Sequence, residues 1–303
     1  MISLLTYPLS KALGDEAALR MLAENGFPGI DYSMHAYSLD SPIYRLPEKK
    51  LIRYFENVRA LMRELGLTAC QLHTHYPTYV ENEPDENERR FRAVVSGIRA
   101  AQILGSPYAV AHPIMLDKPL DSELRRATWE LNRQFYTRLI PVLRECGVKL
   151  AIENMFLCRG GLFQPVPIST AADLSDYIDR MNDIAGEALF VACLDTGHAH
   201  LLGMDIAQMP AQLGGRLRLL HLHDNLRSCD QHTAPYLGSL PWAAFLDALR
   251  SSGYQGHVSF EAHGFLRAFP PELLPGAVRL LAETGRYFEK RLRPPSAENA
   301  KGE

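Results

Sequence analysis

The sequence contains no CxxC pair, no long apolar run and no excess of charge of either sign, and each absence narrows the reading. The five cysteines, Cys70, Cys146, Cys158, Cys193 and Cys229, are scattered. That argues against a disulfide scaffold and suits structural thiols in a reducing compartment. No stretch approaches the roughly 18 apolar residues of a membrane span. The opening MISLLTYPLS lacks the basic n-region and long apolar h-region of a signal peptide. The expectation is a cytoplasmic protein with no membrane partner. A net charge of -3 supplies no general attraction to phosphate backbones, which disfavours nucleic acid as a partner. No GxSxG elbow, P-loop or GxGxxG after a strand is present, so those nucleophile and nucleotide chemistries have no foothold.

What remains is a chain of 303 residues, 47% hydrophobic and 22% charged, ample for a large core. Eight short apolar runs alternate with helical patterns. The predicted strands are Ile2–Thr6, Gly29–Ser33, Thr68–His73, Tyr108–Ala111, Val148–Ile152, Ala188–Leu194, Leu217–His221 and His257–Phe260. Between them the periodicity predicts helices that include Pro47–Leu65, Asn87–Leu104, Ser122–Cys146, Ala171–Met181 and Trp242–Ser251, with a last helix over Pro271–Leu292. The acidic ENEPDENE and the Gly/Pro-rich CRGGLFQPVP read as loops. Strict alternation of strand and helix implies a parallel sheet. Eight units in a chain of this length imply a single closed (β/α)8 TIM barrel over residues 1–292. Residues 293–303 read as a flexible tail.

The polar residues gather at one end of this scheme. Of the 11 histidines, His257 alone opens a strand. His35, His73, His75, His112, His198, His200, His221, His223, His232 and His263 fall at strand ends or just after them, on the face where barrel active sites are built. Glu153, Asp195 and Glu261 end apolar strands, where a carboxylate is costly without a positive neighbour. Each taken alone could cap a helix or form an ion pair, and Asp230 and His232 could lie in a solvated loop. Together, Glu153, Asp195, His221 and Glu261 form an oxygen-rich ligand set suited to Mn, Mg, Co or Zn. Strand parity puts His221 and His223 on one face and His73 and His75 on another, without deciding which of each pair meets a metal. His73 and His223 suit a supporting or substrate-bonding role. Arg227 could hold a hydroxyl or phosphate, or stand in solvent. His35, Tyr7, Phe156 and Phe265 could line a pocket or pack.

These residues resemble the xylose isomerase-like barrels, the superfamily of sugar phosphate isomerases, epimerases and endonuclease IV. The motifs are His75-Tyr-Pro, His112-Pro, Ile-Glu153-Asn154, Leu-Asp195-Thr-Gly-His198, His221-Leu-His-Asp224-Asn225, Asp230-Gln-His232 and Phe-Glu261, spread over Ile2 to Leu292. In ketose 3-epimerases of this kind, the matches to Glu153, Asp195, His221 and Glu261 hold one divalent metal. The two glutamates also act there as the acid/base pair, and the matches to His198 and Arg227 contact sugar oxygens. In endonuclease IV the matches to His75, His112, His198, Asp230 and His232 join the set, which holds three zinc ions. All nine metal positions are filled here, so one ion is expected and the ligand count leaves room for up to three.

The resemblance implies a metal-dependent isomerase or epimerase acting on a small sugar, polyol or sugar phosphate. Glu153 and Glu261 would move a proton through a metal-stabilised enediolate. The same site could eliminate a β-leaving group, as a lyase or dehydratase on a related sugar or inosose. An abasic-site endonuclease with three zincs is a further reading. The acidic stretch Glu81–Glu88 opposes it, because a DNA backbone would have to pass there. A non-catalytic binder would lack one of the glutamates, and neither is missing. The substrate and any homo-oligomer are left open.

Overall fold

The computed structural model describes residues 1–35 and 37–293. Residue 36 and residues 294–303, nearly all of the tail expected to be flexible, lie outside the described residues. In chain order the strands are β1 (Ile2–Leu5), β2 (Gly29–Ser33), β3 (Thr68–His73), β4 (Tyr108–Val110) and β5 (Lys149–Glu153). They continue as β6 (Phe156–Arg159), β7 (Leu162–Pro165), β8 (Phe190–Asp195), β9 (Leu217–His221) and β10 (Val258–Phe260). Eight of them form one sheet in the order β10-β1-β2-β3-β4-β5-β8-β9, and every pair within it is parallel. The ends meet just past β9. Leu222 N–H donates to Ser259 O at 2.9 Å, and Glu261 N–H donates to Leu222 O at 3.1 Å. The result is the expected TIM barrel.

Strands covered on both faces read as near-continuous apolar runs, and β1, β2 and β8 are buried at every position. The main core lies between sheet and helices and includes Leu4, Ile30, Leu72, Leu150, Phe190 and Phe260. A smaller apolar cluster contains Val110, Ala151, Val191, Cys193 and Leu219. Side chains two apart on a strand share a face. Glu153, Asp195 and His221 therefore stand one layer beyond Ala151, Cys193 and Leu219. The apolar cluster is the floor of the site.

Several loops differ from expectation. CRGGLFQPVP contributes to an antiparallel hairpin, β6–β7, with Arg159 paired to Leu162 across a Gly160-Gly161 turn. Both glycines have positive φ, which an L side chain adopts only at a cost. ENEPDENE does not wholly precede its helix, which starts at Pro84 and runs to Leu104. Pro suits a first helical turn, and Asp85 and Glu86 suit the positive end of the helix dipole. The helix from Ala171 runs on to Ala185, stopped by Gly186 at φ 70. A short helix, Thr196–Leu201, follows β8 directly. All five cysteines are free. Among the described residues no helix is long and apolar enough to cross a membrane.

Candidate active site

The strand ends converge on a buried polar cluster with two lobes. The inner lobe centres on His221, which is wholly buried at the end of β9. Its Nδ1 lies 3.1 Å from Glu153 Oε2 and 2.9 Å from Glu261 Oε2. Neither contact has hydrogen-bond geometry, and Glu153 Oε1, Glu261 Oε2 and both nitrogens of His221 have no partner. Buried polar atoms are rarely left so. Two ligands held about 2.1 Å from one ion at tetrahedral or octahedral angles stand about 3.0–3.4 Å apart. The observed contacts fit that spacing, so the residues present suit a divalent cation.

His112 and His73 complete the inner lobe. His112 Nε2 lies 3.1 Å from Glu153 Oε2 and 3.0 Å from His73 Nε2. The His73 ring stacks on His221 with centroids 4.7 Å apart. Burial would raise the carboxyl of Glu153, but the imidazoles of His221 and His112 hold it well below the usual carboxylate range. Glu261 is likewise held well below that range: burial opposes, and His221 overrides it. For His221 burial pulls down, while Cys193, Glu153 and Glu261 hold the ring well above an ordinary histidine. His73, lacking such compensation, is pushed well below by burial. The lobe thus keeps its carboxylates ionised although both are buried.

The outer lobe is built on Asp195, His198, His223, Asp230 and His232, and most of its polar atoms are satisfied. Asp195 caps the helix Thr196–Leu201, accepting from His198 N–H at 2.7 Å. Its other oxygen takes His223 Nε2 at 3.0 Å. His198 Nδ1–H donates to Asn154 O at 2.9 Å. His232 uses both nitrogens, donating to Glu261 O at 3.0 Å and to Asp230 Oδ2 at 2.8 Å. The rings of His223, His232 and His263 stack in sequence, each pair 3.9 Å apart. Gly197 makes room for this column: a Cβ there would fall 1.9 Å from His223 Cε1. The loop carrying Asp230 and His232 is anchored by buried Asp224. That carboxylate accepts from Trp242 Nε1 at 2.7 Å and from the backbone of Asn225, Tyr236 and Leu240.

A cavity of about 310 Å³ opens above the cluster. Glu261, His112, His198, Asp230 and His232 reach it from the polar side, and Met115, Met155, Phe156 and Leu157 form an apolar wall. His35 also lines it, with its pKa lowered by burial to about 4. Among the described residues its lining includes no lysine or arginine.

The structure therefore brings together Glu153, His221 and Glu261, with His112 beside them. Asp195 is Cα partner to His221 in the sheet, but its carboxylate is engaged by His198 and His223. His198, Asp230 and His232 form a neighbouring group. Three expected contacts are placed elsewhere. His75 is buried against Arg90, whose Nη1 lies 3.3 Å from its Nε2, and against the edge of Tyr44. His73, the last residue of β3, stands in the cluster beside His112 and His221. Arg227 is exposed in a turn with φ 61, its N–H held by Asn225 Oδ1 at 3.0 Å. His223 is fully buried on Asp195 and does not line the cavity. Sequence reasoning missed Asp31 and Gln71 beneath the cluster. The signal was available: Asp31 is a carboxylate in the middle of a buried strand, GIDYS.

The chain matches the model of the xylose isomerase-like TIM barrel family over residues 19–284, and it belongs to that family. An uncharacterised protein of Mycobacterium leprae is 24% identical over 266 residues, 84% of this chain and 85% of that one. The D-psicose 3-epimerase of Enterocloster bolteae is 31% identical over 123 residues, 41% of this chain and 36% of that protein. Among solved structures, the D-psicose 3-epimerase of Clostridium cellulolyticum H10 with D-tagatose superposes at a TM-score of 0.70. It shares 16% identity, with 95% of this chain and 98% of that one covered. The 3-keto-D-glucoside 4-epimerase of E. coli gives 0.68 at 18% identity, covering 93% and 98%. At these identities the structural likeness speaks to the fold.

Proposed function

We propose that the chain is a metal-dependent isomerase or epimerase of a small, uncharged sugar or polyol. Glu153, His221 and Glu261 would hold one divalent ion, with Asp195, the register neighbour of His221, as the expected fourth ligand. The observation that carries this reading is the contrast in satisfaction between the lobes. Orphaned atoms crowd around His221, whereas His198 and His232 already have partners, and Asp195 would join the ion only by giving up its contact with His223. One cation suits that pattern better than three. When bound, it would supply Lewis acidity toward a carbonyl and an adjacent hydroxyl, making the neighbouring C–H more acidic.

The chain's own residues account for the rest. Glu153 and Glu261 come from β5 and the end of β10, with β8 and β9 between them, so they approach from two sides. One carboxylate takes the proton and the other returns it, the division of labour an epimerisation requires. Glu261 faces the cavity directly. Glu153 lies beneath, flanked by His112 and by His198 Nδ1 at 3.3 Å. His198, His232 and Asp230 offer hydrogen bonds to hydroxyls, and the apolar wall covers the C–H face of a ring. A phosphate group would meet carboxylates and no guanidinium in this cavity, which supports an unphosphorylated substrate. The names of the similar proteins, D-psicose 3-epimerases and a 3-keto-D-glucoside 4-epimerase, support the same class.

The test is incubation of the purified protein with Mn or Co and a panel of ketohexoses in deuterated water, followed by NMR. Epimerisation with deuterium at the inverted carbon is expected. An unsaturated product would show a lyase instead. Incision of an abasic duplex with about three zincs per chain would replace the reading with the nuclease one.

A further inference from the structure

Beneath the inner lobe lies a carboxylate that the proposed reaction does not use. Asp31, in β2, is 0% exposed. Its Oδ2 accepts a hydrogen bond from Gln71 Nε2 at 2.8 Å, and its Oδ1 has no partner. The same Oδ2 lies 3.5 Å from His221 Nε2 and 4.0 Å from His73 Nδ1. Asp31 thus faces the rear of two imidazoles whose front atoms meet Glu153 and its neighbours.

An imidazole that ligates through one nitrogen carries its proton on the other, and a carboxylate behind it fixes which is which. At His221 the two nitrogens are sorted by their surroundings. Nδ1 stands between Glu153 Oε2 and Glu261 Oε2 at ligand-to-ligand spacing. Nε2 faces Asp31. The stacked ring of His73 restricts rotation that would exchange them. Gln71 is on β3, the neighbour of β2, and its amide N–H orients the Asp31 carboxylate.

We propose that Asp31 is a positioning residue that keeps the His221 proton on Nε2 and so presents the Nδ1 lone pair to the cation. Gln71 supports it by holding the carboxylate in place. The inference rests on the single-ion reading above and adds a residue that the ligand set does not contain. It also explains why a costly buried carboxylate occupies a strand position that an apolar residue would fill more cheaply.

The test is titration of the chelator-treated full chain with cobalt(II), followed by its visible absorption, in the wild type, Asp31→Asn and Gln71→Leu. Circular dichroism and melting of the metal-free proteins run alongside. Loss of a partner behind a ligating histidine typically weakens metal binding by about 10- to 100-fold. That loss is expected for Asp31→Asn, with the cobalt band keeping its wild-type intensity once saturated. Gln71→Leu should weaken binding by a smaller factor, and it reports on the same contact should Asp31→Asn fail to fold. Unchanged affinity in a folded Asp31→Asn, or in Gln71→Leu if Asp31→Asn does not fold, would overturn the proposal and leave the single-ion reading standing. A saturated band of changed intensity would make Asp31 a ligand itself and overturn the positioning role. A wild type that binds no cobalt would overturn the metal site and this inference with it.

Discussion

The two lobes of the polar cluster are made of the same residue types, yet they are in different states. The inner lobe leaves carboxylate oxygens and imidazole nitrogens facing each other without hydrogen bonds. The outer lobe closes its own contacts through a helix cap, a backbone carbonyl and the His232–Asp230 pair. The difference comes from the backbone. Inner-lobe groups sit on or next to parallel strands, whose N–H and C=O groups are committed to the ladder. In the outer lobe Asp195 ends β8 but doubles as the cap of a helix, and His198 and His232 sit on that helix and on a loop, where free backbone groups are at hand. A histidine-rich rim is therefore not uniform: hydrogen bonds within the protein satisfy most of the outer lobe and leave the groups around His221 unpartnered.

The largest expected effect is on the glutamates. Glu153→Gln and Glu261→Gln should each lower kcat by about 10²- to 10⁴-fold, the range for a lost general acid or base. The readout is turnover of whichever ketose the NMR screen identifies, and full activity in both variants would remove the inner lobe from the chemistry. Next comes Gly197→Ala. Its Cβ would meet the His223 ring at 1.9 Å, and overpacking of this kind costs about 1–3 kcal/mol. A melting temperature lower by several degrees is expected; none would mean the His223 column is loosely packed.

The pH dependence sharpens the contrast from the inner side. His221 is held well above its ordinary pKa by Cys193, Glu153 and Glu261, against the opposing pull of burial. Without a cation, its contribution to stability is fully present below the unfolded value near ~6.5 and is lost as pH rises through the raised value. Cation binding runs the other way, since it requires the neutral ring. Affinity should rise about tenfold per pH unit up to the raised pKa and then level off. Isothermal titration across pH 6 to 9 in two buffers of different ionisation heat reads both the slope and the proton released. A flat profile would take His221 out of the ligand set. The smallest effect is expected in the outer lobe. Asp230→Asn should leave about one ion per chain and weaken binding by less than about tenfold. Elemental analysis showing a drop from three ions would reverse the ranking of the lobes.

Much of the fold was legible because the strands alternate with helices and are apolar on both faces. β2, β3 and β9 have the bounds that periodicity predicts, and Ser122–Cys146 is bracketed by Asp121 and Gly147 as capping chemistry requires. The hairpin β6–β7 was hidden because two adjacent glycines signal a loop without saying that the flanks pair. His75 entered the wider ligand set only through a motif of the resembling family, and the fold sets it against Arg90, away from the cluster. Arg227 carries the charge a substrate contact wants, but one left-handed turn sends it to solvent.

Residue order alone settled the barrel and the strand ends that carry Glu153, His221 and Glu261, because side-chain parity along a strand is a local property. Only the closed sheet decided which of many polar groups are left unsatisfied, and that Asp31 stands behind His221. Those facts depend on distances between strands far apart in the chain, and no local pattern encodes them.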